Sequence, residues 1–290
     1  MLLQDRVVIV TGAGRGLGRE YALLAAAEGA AVVVNDVGCN ADGTGTDGTY
    51  AEEVVREIAA AGGAAVASDH DVRTTEGAEQ LLATALDTYG DVHGLVNNAG
   101  VLRDRMFVSM TADDWDEVIR GQLRATFAPT HALAGFWRER SKGGASADRS
   151  IVNVSSTSGL LGQVGQSNYG AAKAAIAALT VIIAEELSRY QVRVNALTPV
   201  ARTRMTEGVP ALAQIVAAPN DESEFDVYHP GNVAPLVCWL LAPDCPVTGK
   251  VFYSKGGEIR QFLGWQFGEQ ISKDGRWTPT ELAASMAPLI

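Results

Sequence analysis

The chain has 290 residues, 47% of them hydrophobic and 20% charged, ordinary proportions for a globular protein that buries a core of its own. Its 34 acidic against 23 basic residues leave a net charge of −11, a field that repels nucleic acid and anionic membrane surfaces alike. Cys39, Cys238 and Cys245 form no CxxC pair, the four histidines are scattered, and no apolar run is long enough to span a bilayer; these features disfavour a disulfide scaffold, a metal centre and a membrane protein, and lead to the expectation of a reduced, cytoplasmic setting.

From the amino end, two kinds of segment alternate. Short β-branched runs occur at 6–11, 30–36, 64–68, 92–97, 150–155, 192–197 and 250–254, with helical patterning between them at 19–29, 50–63 and 78–90. In YAEEVVREIAAAGG (50–63), Val54, Val55 and Ile58 share a helical face and Gly62-Gly63 ends the helix. The early runs are apolar almost throughout, as strands covered on both faces are. The alternation predicts an α/β fold: a doubly wound parallel sheet with helices on both faces. No linker divides it, and SKGGASADR (141–149) reads as a surface loop; a single domain is expected.

The first strand runs into TGAGRGLG (11–18), which fits TGxxxGxG through Thr11, Gly12, Gly16 and Gly18. Glycines there let the backbone turn tightly and approach a pyrophosphate, whose charge meets the amino end of the next helix. A plain strand-to-helix turn would use glycines too. The second strand ends at Asp36, eighteen residues beyond Gly18. A carboxylate there accepts hydrogen bonds from ribose hydroxyls and repels a 2′-phosphate, which favours NAD over NADP. Arg15, inside the loop, pulls the other way.

At the end of the fifth strand, NVSSTSG places Ser156 where a loop leaves the sheet, the position where parallel sheets carry their sites. A serine there can steady a reacting oxygen, or simply cap a helix, and Ser155 or Ser158 could serve instead. Thirteen residues on, SNYGAAK (167–173) sets Tyr169 and Lys173 one helical turn apart among small residues. A lysine ammonium so placed favours the phenolate, and the expectation is a tyrosine of lowered pKa that exchanges protons with an alcohol or carbonyl.

In this order and on these predicted elements, TGAGRGLG, Asp36, Asp71-Val72, NNAG (97–100), Ser156, YGAAK (169–173) and RVNALTPVARTRM (193–205) resemble the short-chain dehydrogenases/reductases over roughly residues 5–257. The resemblance implies a Rossmann-type fold, hydride transfer with NAD or NADP, and a homodimer or homotetramer. It implies a cofactor set of Gly12, Arg15, Gly16, Leu17 and Gly18 in the loop, with Asp36 beyond it. Asp71 and Val72 would sit at the adenine, and Asn98, Ala99 and Gly100 at the central strand end. Val200 and Thr203 would lie toward the nicotinamide. Ser156, Tyr169 and Lys173 would be catalytic, the last two also touching the cofactor. One residue departs from the pattern: in WDEVIRGQLRATF (115–127), Gln122 stands where the family has an asparagine that holds a water in a proton relay. Glutamine carries the same amide one methylene further out, and its role is either that relay or satisfaction of backbone in a distorted helix.

Within the family, VVVNDVG with the glycine-rich insertion after it (38–49), NNAGVLRDRMF (97–107), GQSNYGAAK and VAPLVCWL (233–240) are similar to the (3R)-hydroxyacyl-CoA dehydrogenase part of peroxisomal multifunctional enzymes. That implies a small-molecule alcohol or ketone, 3-hydroxyacyl-CoA-like or steroid-like, as substrate. Arg103 and Arg105 could meet the acidic groups of a coenzyme A ester, or pair with Asp104 or the acidic helix nearby. An NADPH-dependent 3-oxoacyl reductase and a non-catalytic nucleotide-binding protein on the same fold are the alternatives. Residues 204–229 suit a lid over the site. Residues 1–257 form the expected catalytic domain. Residues 258–290 are an extension whose Phe262, Trp265, Phe267 and Trp277 are expected to pack on the domain or a partner subunit, with a capped helix led by Thr278.

Overall fold

A computed structural model describes residues 1–144, 147–203, 210–221 and 223–289. Seven parallel strands form where the β-branched runs lie: β1 (Val7–Thr11), β2 (Ala31–Asn35), β3 (Ala64–Ser68), β4 (Gly94–Asn97), β5 (Arg149–Val154), β6 (Val192–Pro199) and β7 (Val251–Lys255). An eighth, β8 (Glu258–Phe262), is absent from the sequence reading and runs antiparallel to β7. Gly256, at φ 53°, and Gly257 close the two-residue turn between them, the tight hairpin that glycine permits. The strand order is β3-β2-β1-β4-β5-β6-β7-β8, so the order reverses between β1 and β4, where open sheets of this kind bind their ligands.

Two helix layers cover the sheet because successive side chains of each strand face opposite ways. Val8, Val10, Val32, Val34, Val152 and Leu197 pack under α1 (Gly16–Ala27), α2 (Thr49–Ala60) and α9 (Ala234–Leu241). Ile9, Val33, Leu95, Ile151 and Val194 pack under α3 (Thr75–Tyr89), α5 (Ala125–Lys142) and α7 (Ser167–Ser188). Helices α4 (Ala112–Ile119) and α6 (Thr157–Leu160) lie in the connections that follow β4 and β5. Beyond β6 come the short α8 (Pro210–Ile215) and, in the extension, α10 (Pro279–Ser285).

A polar chain crosses the second layer. Asn97 and Asn153 are register partners on β4 and β5. The Asn97 amide donates to Thr130 and to the Asn153 carbonyl oxygen, each at 2.8 Å, and Asn153 donates to Thr180 at 2.9 Å. It ties α5 and α7 to neighbouring strands. At the opposite end of the sheet, Asp148 joins Arg6 and Arg193, and Arg149 joins Asp91. The segment read as a surface loop at 141–149 therefore ends in two ion-paired anchors, the half-buried Asp148 and the buried Arg149, and its residues 145–146 lie outside the described set.

The extension begins by completing the sheet. Phe262 packs against Ala177, Ala196 and Val251, and Lys273 lies over the Trp277 ring at 5.4 Å. Trp265 and Phe267 do not pack on the body of the chain: both are fully exposed. Thr278 caps α10 in a reciprocal capping box with Glu281. Among the described residues, no helix is long and apolar enough to cross a membrane.

Trp137 on α5 is the largest fully buried side chain; its indole N–H donates to the Val92 carbonyl at 2.9 Å. Trp137→Ala should lower unfolding stability by about 3–5 kcal/mol. Trp137→Phe, which loses chiefly the hydrogen bond while Arg149 still serves that carbonyl, should cost about 1–2 kcal/mol. Urea denaturation measures both.

Candidate active site

The end of β1 and the start of α1 are shaped by two glycines. Gly12 takes φ 62°, and a Cβ on it would stand 2.8 Å from the Ala99 Cα; a Cβ on Gly18 would stand 2.2 Å from the Gly12 carbonyl oxygen. Only glycine at both positions lets the loop, α1 and the end of β4 approach this closely. Asn98 bolts the arrangement, its amide donating to the Thr11 and Gly12 carbonyls at 3.0 Å. The Thr11 hydroxyl accepts from the backbone N–H groups of Asn98 and Ala99.

The result fits the phosphates of a dinucleotide. No side chain caps the amino end of α1 and no acid lies in its first turn, and a Cβ on Gly16 would meet nothing within 4 Å. A helix amino end with free N–H groups and open space before it is an anion site. Beside it, Asp36 accepts from Gly14 N at 2.8 Å and Gly38 N at 2.7 Å, which turns its carboxylate toward the loop. Arg15 stacks over the Tyr50 ring at 3.7 Å and donates to the Cys39 carbonyl at 2.9 Å. Asp71 pairs with Arg73 at 2.8 Å, and Val72 is buried.

Across the switch point, Ser156 leads α6, its hydroxyl accepting from Ser158 N at 3.1 Å. The same side chain stands close enough to the Tyr169 phenol to oppose the rise in its pKa, so capping and site roles coexist in one residue. Lys173 is buried and donates to the Val154 carbonyl at 2.6 Å, with its nitrogen 5.5 Å from the centre of the Tyr169 ring. Gln122 sits in a π-helical turn, Arg120–Arg124, between α4 and α5; such wide turns recur at functional sites. Its amide nitrogen donates to the Val101 carbonyl at 2.7 Å, and its buried amide oxygen has no hydrogen-bond partner among the described residues. A Cβ on Gly100 would lie 2.5 Å from that amide, so the bare backbone of Gly100 makes room for the longer side chain.

All of these residues line one cleft of about 770 Å³: the five loop residues, Asp36, Asp71, Val72, Asn98, Ala99, Gly100, Gln122, Ser156, Tyr169, Lys173, Val200 and Thr203. At the far end, the segment read as a lid over the site contributes Ile215, Val216 and Tyr228, and two other connections add residues with no expected role. Leu102, Val164, Ile215, Val216 and Tyr228 give an apolar rim, with Asp104 and Gln166 hydrogen-bonded beside it at 2.8 Å. They lie in three separate connections and share no local motif. Part of the expected lid, residues 204–209 and 222, lies outside the described residues.

One expectation needs correcting. The Tyr169 phenol is not lowered in the free protein; burial pushes it up to about 12, against the opposing Ser156 side chain, and the charge of Asp104 adds to the rise. Burial also pushes the Lys173 amine down to about 7, so at higher pH the lysine lacks the charge that was to acidify the phenol. Of the two roles read for Arg103 and Arg105, the structure shows pairing with the acidic helix: they meet Asp113 and Asp114 of α4, at 2.6 and 3.7 Å.

A cleft with an anion-binding helix end on one side of the switch point and a Ser–Tyr–Lys set on the other can bind a dinucleotide and move protons at an adjacent oxygen. Residues 6–211 match the family model described as short chain dehydrogenase. The hydroxyacyl-CoA dehydrogenase ChsB1 of Mycobacterium tuberculosis is 42% identical over 98% of this chain and 88% of its own length. The peroxisomal multifunctional enzyme type 2 of Mus musculus is 41% identical over 90% of this chain, which spans 33% of that longer protein. The crystal structure of a short chain dehydrogenase from Mycobacterium avium superposes with a TM-score of 0.88, at 46% identity, over all of this chain and 95% of that one. The chain belongs to the short-chain dehydrogenase/reductase family of nicotinamide-dependent oxidoreductases.

Proposed function

We propose that the protein is an NAD-dependent alcohol dehydrogenase whose substrate is a secondary alcohol on an extended apolar skeleton, a 3-hydroxyacyl-CoA-like or steroid-like molecule. The observation that carries this reading is the convergence of Ser156, Tyr169 and Lys173 on a cleft with Asp36 at its dinucleotide end and an apolar rim at the other. The names of the relatives at 42% and 41% identity agree with it. Asp36, its carboxylate turned toward the loop by Gly14 N and Gly38 N, supports NAD over NADP. The loop glycines and α1 would hold the pyrophosphate, Asp36 the adenosine ribose, and Lys173 and Tyr169 the nicotinamide ribose. The cytoplasm is the expected setting. The fold family implies a homodimer or homotetramer, and the bare Trp265 and Phe267 give a partner subunit something to cover.

The chemistry that a bound nicotinamide supplies is acceptance of a hydride from the carbinol carbon. The protein's own share is the proton. Ser156 orients the substrate oxygen, and Tyr169 takes the hydroxyl proton in oxidation or returns it in reduction. In the free protein the phenol stays protonated at neutral pH, as a proton donor must. Acting as a base, it needs positive charge beside it. Phenolate and ammonium stabilise each other across the Tyr169–Lys173 contact, so anion formation at one raises the proton affinity of the other. The unpartnered Gln122 oxygen suits a water on the path from Lys173 toward solvent.

Tyr169→Phe should lower kcat about 10³-fold while nucleotide affinity persists, the range expected for loss of a general acid–base group. Stopped-flow turnover with equilibrium titration of the nucleotide checks this, and full turnover in the variant would remove the mechanism. Asp36→Ala should weaken NAD about tenfold and narrow the NAD/NADP preference, read as the ratio of kcat/KM values. An unchanged ratio would remove the cofactor argument. Between pH 7 and the ordinary lysine value of 10.5, the unfolded chain holds a proton on residue 173 that the folded chain lacks. Stability of the ligand-free protein should therefore rise with pH from 7 to 9, before the buried Cys238 thiol, pushed from 9.0 up to about 12, opposes the trend. Lys173→Met should flatten the rise, as measured by denaturation midpoints at pH 7 and 9.

A further inference from the structure

The segment beyond β6 forms one wall of the substrate end. Ile215 and Val216, from α8 and the residue after it, line the cleft on one arm, and Tyr228 lines it on the returning arm. Arg202, just past the end of β6, reaches between the two. Its Nη1 donates to the Val216 carbonyl at 3.0 Å and to Asp226 Oδ1 at 3.3 Å. Its Nη2 donates to Asp226 Oδ2 at 2.5 Å, and its backbone N–H donates to the Tyr228 carbonyl at 2.7 Å. The arginine and aspartate side chains are only 19% and 21% exposed, so the forked pair is well shielded from water. The Asp226 carboxyl lies below its usual range, chiefly through the hydrogen bond from Arg202.

The returning arm has other attachments. Asn232 donates to the Asp226 carbonyl at 2.8 Å, Lys255 lies over the Tyr228 ring at 4.7 Å, and Val227 packs against Gly256. Among the described residues, the α8 arm meets Arg202 through the Val216 carbonyl, and the Val216 side chain is itself buried. A planar guanidinium can serve a carboxylate with two donors and still spare one for a carbonyl; an ammonium on a single point cannot match that geometry.

We propose that Arg202 is a specificity-determining positioning residue: by clasping Asp226 and the Val216 carbonyl it holds Ile215 and Val216 against the substrate end of the cleft, and so favours extended apolar alcohols over short ones. The preference rests on the dehydrogenase reading above, whereas the clasp does not. Without it, the α8 arm separates from the returning arm, and the apolar wall that a long substrate would lie along is lost.

Three variants test this: Arg202→Met, Arg202→Lys and Asp226→Asn. Chymotryptic cleavage within residues 210–229, located by mass spectrometry, should speed up about tenfold in Arg202→Met, with smaller increases in the other two, as expected for local opening after loss of a shielded ion pair. The ratio of kcat/KM for a long-chain 3-hydroxyacyl-CoA to that for 2-butanol should fall about tenfold, mainly through KM for the long substrate. Unchanged cleavage in all three variants would overturn the clasp, and an equal loss on both substrates would reduce Arg202 to a structural part. Should Arg202→Met fail to fold, Asp226→Asn reads the same two quantities. If the wild-type protein turns over neither alcohol, the dehydrogenase reading falls, while the cleavage rates still decide whether Arg202 holds the arm.

Discussion

Where β5 ends, two consecutive residues grip the same residue of α7. The Val154 carbonyl accepts from the Lys173 amine at 2.6 Å, and the Ser155 hydroxyl donates to the Lys173 carbonyl at 2.8 Å. Close approach here depends on Gly159, where a Cβ would stand 2.5 Å from Ala174 N. This joint brings the strand end that delivers Ser156 against the helix that delivers Tyr169, and it removes the lysine from water. Burial of the lysine and its placement in the cleft are thus one event. The desolvation that lowers Lys173 has its counterpart at Tyr169, where burial of the phenol itself keeps it protonated in the free protein.

How much of this is legible in one dimension depends on how local the cause is. The seven parallel strands could be read because β-branched runs buried on both faces need no knowledge of their neighbours. The glycine loop and the Tyr169–Lys173 spacing were legible for the same reason, since each is fixed within about two helical turns of chain. Strand β8 was not. Glu258, Arg260 and Gln261 interrupt EIRQF with polar residues, and its residues are half-buried or exposed, so it becomes a strand only because Gly256-Gly257 folds it back on β7. The wide turn at Gln122 depends on the Val101 carbonyl and on Gly100, about twenty positions away. The upward shift of the Tyr169 phenol depends on burial that no residue spacing discloses.

The insertion after β2 shows how one segment can change the meaning of another. Its Ala41 carbonyl accepts from Leu102 N at 2.8 Å, and the Asp42 carbonyl accepts from Arg103 Nε at 3.0 Å. The turn beyond β2 is thereby joined to the segment beyond β4, past the end of the intervening β1. Arg103, attractive in isolation as a partner for a substrate phosphate, is instead a fastener between two loops and α4. An arginine's chemistry is general, and its assignment is made by whichever carboxylates and carbonyls the topology brings to it.

The Thr130–Asn97–Asn153–Thr180 chain has a mechanical corollary. Sliding β4 along β5 by a single residue would turn Asn97 and Asn153 to opposite sides of the sheet and strand several buried amide and hydroxyl groups at once. The two strands therefore behave as a dowelled pair with one permitted alignment. The loop carrying Asn98 to Gly100 leaves one of them, and Ser156 leaves the other. The spacing between the glycine-loop wall of the cleft and its serine is set inside the sheet, out of reach of whatever happens at the surface.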